Sequence, residues 1–536
     1  MIDENSGAEL DPRRILLEKR RQFQDRFGTA PIAFSIDGRT FTFQTPLDQG
    51  VKTGGHVRLT RRDGVVLLGQ VLNQGIERTD GPAVKVTEDI DDRLASAGVS
   101  ISEATVQMMR YFVTGTGLVL GRLSPSDDGE GGSEPLAFNE ADLAPATAKD
   151  IAGYLAAWAK PRPTLPIGSV VVGGEAVPAA IDAAGFNRHS FLCGQSGSGK
   201  TYSLGVVLEH LLTDTDLRIA VIDPNADYVK LGQLRDPALL DTEAGHHYAA
   251  RTRDLQVFRP ISAVDDTSQT LRIRFSDLSP QDQARTLQLD PLADRTEFDT
   301  TWRLVQRMGK SQFSLRDVQG AGIDDLSEAT RQVMLRIANL GITDWDIWAE
   351  EDEPSVIDTL ADDWRAMVLD VSRFELPVER SVVALATLRH FWRQRESRKP
   401  VLLVVDEAHN VCPAEPMDSI QAAATDLMIS IAGEGRKYGI YLFLSTQRPD
   451  KLHPNVISQC DNLMLMRMNS QIDIDDLARI FSFVPEGMLR EAAAFRQGEA
   501  LLAGKLVPAP TIMRIGARLS AEGGSDVATT WARRDQ

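Results

Sequence analysis

Eight consecutive residues, Gly194-Gln195-Ser196-Gly197-Ser198-Gly199-Lys200-Thr201, match the phosphate-binding pattern G-x-x-x-x-G-K-[ST] at every fixed position. The pattern needs one setting: a buried strand, a tight glycine turn, and a helix that starts on that turn. Ser190-Phe191-Leu192-Cys193 reads as the end of such a strand, and Tyr202 to Leu212 as an amphipathic helix. Glycines let backbone N–H groups converge on phosphate oxygens without Cβ clashes, and the helix N-terminus adds partial positive charge. The spacing predicts that Gly194 to Tyr202 bind ATP, that Lys200 reaches the β- and γ-phosphates, and that the Thr201 hydroxyl holds Mg2+. The alternative is a flexible Gly/Ser turn with an incidental lysine, and the flanking strand and helix weigh against it.

A second half of the site follows downstream. Val401 to Val405 is an apolar run that ends in Asp406-Glu407-Ala408-His409. Two acids at the end of a buried strand predict Mg2+ contact by Asp406 and activation of the attacking water by Glu407. Acids at a turn are otherwise only solvated punctuation. The run Leu442 to Ser445 ends in Thr446-Gln447-Arg448-Pro449, so Gln447 is a candidate sensor of the γ-phosphate. Arg436, in Gly435-Arg436-Lys437-Tyr438-Gly439, is a candidate to reach the nucleotide of a neighbouring subunit, against an ordinary solvated helix end. Asp223, at the end of the strand Leu217 to Ile222, is a weaker candidate. His409 is as well explained by packing.

The chain has 536 residues, 42% hydrophobic, with a formal net charge of −18. The acidity argues against a uniformly basic nucleic-acid coat, but it leaves room for a locally basic channel. No apolar run approaches the ~18–20 residues of a membrane span. The N-terminus lacks the apolar core of a secretory signal. Cys193, Cys412 and Cys460 lack metal-ligand spacing and read as small buried thiols, which points to a reducing cytoplasm.

The organisation is read as an α/β chain: a doubly wound sheet carrying the phosphate loop, with a small N-terminal β-barrel and a helical insertion. The expected parts are an N-terminal arm over 1–29, a β-barrel over 30–140 and a linker helix over 141–166. The ATPase core spans 167–245 and 396–516, interrupted by a mostly helical insertion over 246–395, and 517–536 is a C-terminal tail. Short alternating runs separated by Asp37-Gly38 and Asp63-Gly64 carry the barrel reading. Ser124 to Pro135 reads as a loop. Trp302, Trp345, Trp348, Trp364 and Trp392 are assigned to packing.

Taken in order, G-Q-S-G-S-G-K-T, I-D-P-N-A-D-Y, V-V-D-E-A-H, G-E-G-R-K-Y-G, S-T-Q-R-P and I-S-Q-C-D-N give a chain that resembles the HerA branch of the FtsK–HerA ATPases over most of 165–515. The β-rich N-terminal region looks like the small barrel that precedes the motor in that family. The resemblance implies a RecA-like P-loop NTPase core, a homohexameric ring, ATP bound between protomers, and translocation of double-stranded DNA. It implies Lys200 and Thr201 as the Walker A pair, Asp406 and Glu407 as the Walker B pair, Gln447 as the sensor glutamine and Arg436 as the trans-acting arginine. The chain departs from the family where Ala226-Asp227 stands in place of Gly-Glu. HerA-like motors usually act beside a nuclease or other effector, in DNA end processing or anti-phage defence. Two rivals remain: a hexameric scaffold that activates an effector with ATP as ligand or switch, and a secretion-type ATPase. Candidate DNA contacts are Arg389, Arg393, Arg395, Arg398 and Lys399, or Arg448 and Lys451, none of them assigned.

Overall fold

Apolar residues alternate with polar ones along the N-terminal strands, so each strand has one face to bury. Phe41, Phe43, Val57, Leu59, Val71, Phe138 and Leu143 all point inward to one cluster. Six antiparallel strands close around it: β1 (Ile32–Ser35), β2 (Thr40–Pro46), β3 (His56–Thr60), β4 (Val66–Lys85), β5 (Thr105–Arg122) and β6 (Phe138–Pro145). Their order is β1-β2-β5-β4-β3-β6, with β6 returning to β1. Gly117 is what admits Phe41: a Cβ there would lie 2.1 Å from the ring. Gly38 and Gly64, in the two predicted turns, have φ of 67° and 82°. The computed structural model describes residues 31–85, 105–123, 136–309, 311–323, 327–350, 352–361 and 363–524. The arm read over 1–29 and the loop Ser124 to Pro135 lie outside the described residues.

The second unit is built on one twelve-stranded sheet. In spatial order its strands are β12 (Gln269–Thr270), β11 (Leu255–Arg259), β13 (Ala366–Asp370), β10 (Arg218–Asp223), β14 (Val401–Val405), β15 (Ile440–Thr446), β9 (Ser190–Cys193), β16 (Asn462–Met466), β17 (Glu499–Ala503), β18 (Thr511–Ile515), β7 (Thr164–Val172) and β8 (Glu175–Asp182). From β12 to β16 the strands are parallel, and β17, β18 and β7 follow antiparallel. Every residue of β9, β13, β14 and β16 is buried, as expected for parallel strands covered on both faces. Because the strands are parallel, their C-terminal ends form one edge. Phosphate-binding loops, acids and amides that follow β9, β14 and β15 must therefore emerge side by side.

The stretch 246–395 is less separate than its helical periodicity predicts. It contributes β11, β12, β13 and the buried helix Pro377–Arg393 to the sheet unit, and the helices between Pro280 and Ala361 belong to the same unit. Trp348 and Trp364 are buried there, whereas Trp302 is 39% exposed, so packing does not account for all five tryptophans. Residues 517–524 are not a free tail. Arg518 is 1% exposed and packs against the helix Lys200–Asp214, where a Cβ on Gly205 would lie 2.5 Å from its guanidinium carbon. Glu209 of that helix accepts hydrogen bonds from the Leu519 N–H at 2.8 Å and the Ser520 N–H at 2.6 Å.

Candidate active site

Between β9 and the helix Lys200–Asp214 the backbone turns on two left-handed glycines, Gly197 (φ 73°) and Gly199 (φ 94°). Gly194 is tight for another reason: a Cβ would lie 2.8 Å from Met466 Cβ. The loop is braced from β16 and β17. Gln195 N–H donates to Arg467 O at 3.0 Å, Asn469 N–H donates to Gln195 Oε1 at 3.1 Å, and Gly498 N–H donates to Ser198 O at 3.0 Å. Arg467 and Asn469 carry no motif, and their roles appear only when β16 is placed beside β9. Ser196 and Gly197 stay exposed, while Ser198 is fully buried. Tyr202 OH accepts the Arg518 N–H at 2.7 Å, so the C-terminal segment touches the residue directly after the motif.

Lys200 is 5% exposed, and its Nζ has three oxygen partners: Asp406 Oδ1 at 2.9 Å, Glu407 Oε1 at 3.1 Å and Ser445 Oγ at 3.0 Å. Burial works against the ammonium charge, but the Asp406 and Glu407 carboxylates outweigh it and hold the Lys200 pKa above its ordinary value. One cation thus faces two buried carboxylates, and Asp227 adds a third acid nearby. Burial, then the Asp406 charge, pushes Asp227 up to about 6. Burial pushes Asp223 up to about 7, against the Tyr228 and Asp227 N–H groups that bond its carboxylate. The site is short of positive charge.

Two observations say what kind of cation would fit. Asp406 Oδ2 is buried with no hydrogen-bond partner among the described residues, and Thr201 Oγ1 sits 3.4 Å from Asp227 Oδ2. Carboxylate and hydroxyl oxygens are the donors a hard divalent ion takes, which matches Mg2+.

Glu407 adopts φ 42° and ψ 51°, a left-handed conformation that costs a non-glycine residue about 1–2 kcal/mol. Asp406 Oδ1 accepts its N–H at 3.0 Å, and the Asn410 N–H bonds its carbonyl at 2.8 Å, which hold the turn. The turn swings the carboxylate toward β15. There Gln447 Nε2 donates to Glu407 Oε1 at 3.0 Å. His409 Nδ1 lies 2.9 Å from Thr446 Oγ1 and 3.4 Å from Glu407 Oε2. Burial lowers the His409 pKa, against the opposing pull of the Glu407 carboxylate.

Lys200, Thr201, Asp406, Glu407 and Gln447 therefore converge. Arg436 does not join them. It precedes β15 and so lies at the opposite edge of the sheet, bonded to Asp461 at 2.6 Å. Most of the basic residues before β14 are already engaged: Arg389 grips buried Asp282 at 2.9 and 3.0 Å, Arg393 bonds Asp277 O, and Arg395 stacks on Trp392. Arg448 and Lys451 are exposed, following β15 on the site's own edge. The three cysteines are buried free thiols, with burial raising their pKa values.

A sheet that places a phosphate loop and an acid pair on either side of a third strand, β15, defines a P-loop NTPase with a RecA-like core. The particular kind follows from comparison. The model of the HerA helicase central domain matches residues 165–376, and that of the AAA ATPase family matches 355–468. The "Probable DNA double-strand break repair helicase HerA" of Methanocaldococcus jannaschii is 34% identical over 129 residues, 24% of this chain and 25% of that protein. The DNA double-strand break repair helicase HerA of Pyrococcus furiosus is 22% identical over 369 residues, 61% of this chain and 65% of that protein. The chain thus spans between a quarter and just under two thirds of these relatives. Among solved structures, VirB4 of Thermoanaerobacter pseudethanolicus aligns with a TM-score of 0.43 and 13% identity, covering 66% of this chain and 96% of that one. The conjugative coupling protein TrwB aligns with a TM-score of 0.44 and 13% identity, covering 67% and 90%. The family models and the curated relatives bear out the resemblance to HerA-like ATPases. No helix among the described residues is long and apolar enough to cross a membrane.

Proposed function

We propose that this chain is an ATP-hydrolysing motor that moves double-stranded DNA. In this reading it works as a homohexameric ring beside a nuclease or other effector. The observation that carries the reading is the convergence of Lys200, Asp406, Glu407 and Gln447 at one strand edge. A nucleotide-binding protein needs the lysine and one acid. The second acid, held in a left-handed turn and bonded to an amide on the neighbouring strand, is what hydrolysis requires.

Each residue then has a task. The loop Gly194 to Thr201, with Tyr202, seats the phosphates, and Lys200 exchanges its carboxylate partners for phosphate oxygens. Asp406 and Thr201 would hold Mg2+, which neutralises charge on the β- and γ-oxygens when bound. Glu407 orients the attacking water and accepts its proton. Gln447, bridging from β15, reports whether the γ-phosphate is present. Arg436 acts on the nucleotide of a neighbouring copy. Exposed Arg448 and Lys451 are assigned the contacts with DNA phosphates, which would give grip without sequence preference.

The names of the relatives support the DNA part of the reading, and the acidic net charge of −18 argues only against a uniformly basic surface. The test is displacement of a third strand from duplex DNA, with the mass of the intact assembly measured on the same sample. The expected result is a six-subunit mass, ATP-dependent displacement, and none for Lys200→Ala. A six-subunit assembly that shows no ATP-dependent displacement in the parent chain would overturn the motor reading in favour of a scaffold.

A further inference from the structure

Three charged side chains meet at the sheet edge opposite the phosphate loop. Arg436 Nη1 donates to Asp461 Oδ2 at 2.6 Å, and Arg188 Nε lies 3.4 Å from the same oxygen. All three are partly exposed, at 34% for Arg436, 38% for Arg188 and 42% for Asp461. Two guanidiniums share one carboxylate oxygen, so the cluster keeps a net positive charge and has N–H donors to spare.

The platform beneath is stiff. The Asp461 and Asn462 N–H groups both donate to His189 O, at 3.0 and 3.2 Å. Asn462 Nδ2 donates to Gly185 O and Ser190 Oγ, each at 3.0 Å. His189 is fully buried, its Nε2 lies 3.0 Å from Ala432 O, and its Nδ1 accepts the Leu442 N–H at 3.0 Å. Those partners require the proton on Nε2 and a neutral ring. Ala432 belongs to the last turn of the helix Ser419–Glu434, immediately before Arg436. One histidine thus ties together the segments that carry Arg188, Arg436 and Asp461.

A pair of guanidiniums with free donors fits a phosphate oxyanion. The chain's own phosphate loop follows β9 at the other edge of the sheet, so the anion must come from outside the chain. We propose that Asp461 is a positioning residue that holds Arg436, with Arg188 beside it, directed outward for the terminal phosphate of ATP bound by a second copy of this chain. The proposal rests on the shared-site reading given above. Without the carboxylate, Arg436 recovers rotamer freedom it must surrender again in each turnover. The pocket that binds ATP is untouched, so the effect falls on kcat and not on KM.

The experiment is steady-state ATP hydrolysis by the full chain, with intact-assembly mass, for Asp461→Ala, Asp461→Asn, Asp461→Glu and Arg436→Ala. Misplacing a charged group by an ångström costs on the order of a hundredfold. The expected result is a kcat lowered about ten- to a hundredfold in Asp461→Ala, with KM for ATP near the parent value. Asp461→Glu should recover most of the rate, because it restores the carboxylate. Asp461→Ala and Asp461→Asn at parental kcat, with Arg436→Ala slow, overturn the positioning role and leave the shared-site reading standing. Arg436→Ala at parental kcat overturns both. An Asp461→Ala chain that fails to assemble, with Asp461→Asn assembled at parental kcat, also overturns the positioning role.

Discussion

Gln447 grips Glu407 twice: its side-chain Nε2 donates to Oε1 at 3.0 Å, and its backbone N–H lies 3.3 Å from Oε2. With Lys200 Nζ 3.1 Å from Oε1 as well, both carboxylate oxygens are occupied. Three donors thus already share the Glu407 carboxylate, two of them on Oε1. In the proposed hydrolysis, phosphate oxygens take over Lys200 and leave Oε1 freer to accept from a water.

Gln447→Ala removes the side-chain amide and keeps the backbone contact. The expected outcome is a kcat reduced by about 10²-fold, the scale of a mispositioned acid–base group, with nucleotide affinity little changed. Fluorescent-nucleotide titration beside turnover separates the two, and a pure loss of affinity would point to a binding role instead.

The pair Glu209 and Arg518 tests the C-terminal segment. Their side chains are 3% and 1% exposed, with Arg518 Nε 3.6 Å from Glu209 Oε1. Removing one partner of a buried pair typically costs about 3–5 kcal/mol. Glu209→Leu should therefore lower the unfolding midpoint in chemical denaturation and loosen the segment carrying Leu519 and Ser520. Truncation after Gly516 should do the same, and an unchanged midpoint in both would show that residues 517–524 are dispensable.

How far these relationships were legible in the sequence follows from their range. The loop Gly194 to Thr201 is local chemistry, so its pattern specifies its own backbone. Asp406, Glu407 and Gln447 were legible because each ends a run of buried apolar residues, and parallel strands deliver their C-terminal ends to one place. Glu209–Arg518 and Arg436–Asp461 were not, since no local pattern encodes a partner brought in by the sheet. The five-residue run Leu255 to Arg259 is too short to stand out from the surrounding helical periodicity, and its pairing with β13 makes it a strand.

Ala226 has φ 59°, in the left-handed region that favours glycine. Ala226→Gly relieves a left-handed conformation worth about 1–2 kcal/mol and gives back up to about 1 kcal/mol through the freer unfolded chain. The net expectation is unchanged stability or a small rise in Tm. A marked fall in Tm would show that the Ala226 methyl packs favourably.

His189 sets a pH dependence. Burial, then the Arg436 and Arg188 charges, lowers its pKa to about 4, from an ordinary value of 6.5. The folded state therefore binds fewer protons than the unfolded state between those values. Its stabilising contribution is complete above pH 6.5 and is lost as the pH falls toward 4, by up to about 3 kcal/mol. Denaturation midpoints across that range should slope less for His189→Gln than for the parent. Equal slopes would exclude His189 as the source.

The most direct test of the central claim is ATP turnover by the full chain with Mg2+, comparing the parent with Glu407→Gln. The substitution keeps the shape and the contact with Gln447 while removing the base. The account predicts turnover in the parent, loss of at least about 10²-fold in the variant, and ATP still bound. Parental turnover in Glu407→Gln, or no turnover in the parent, would contradict it.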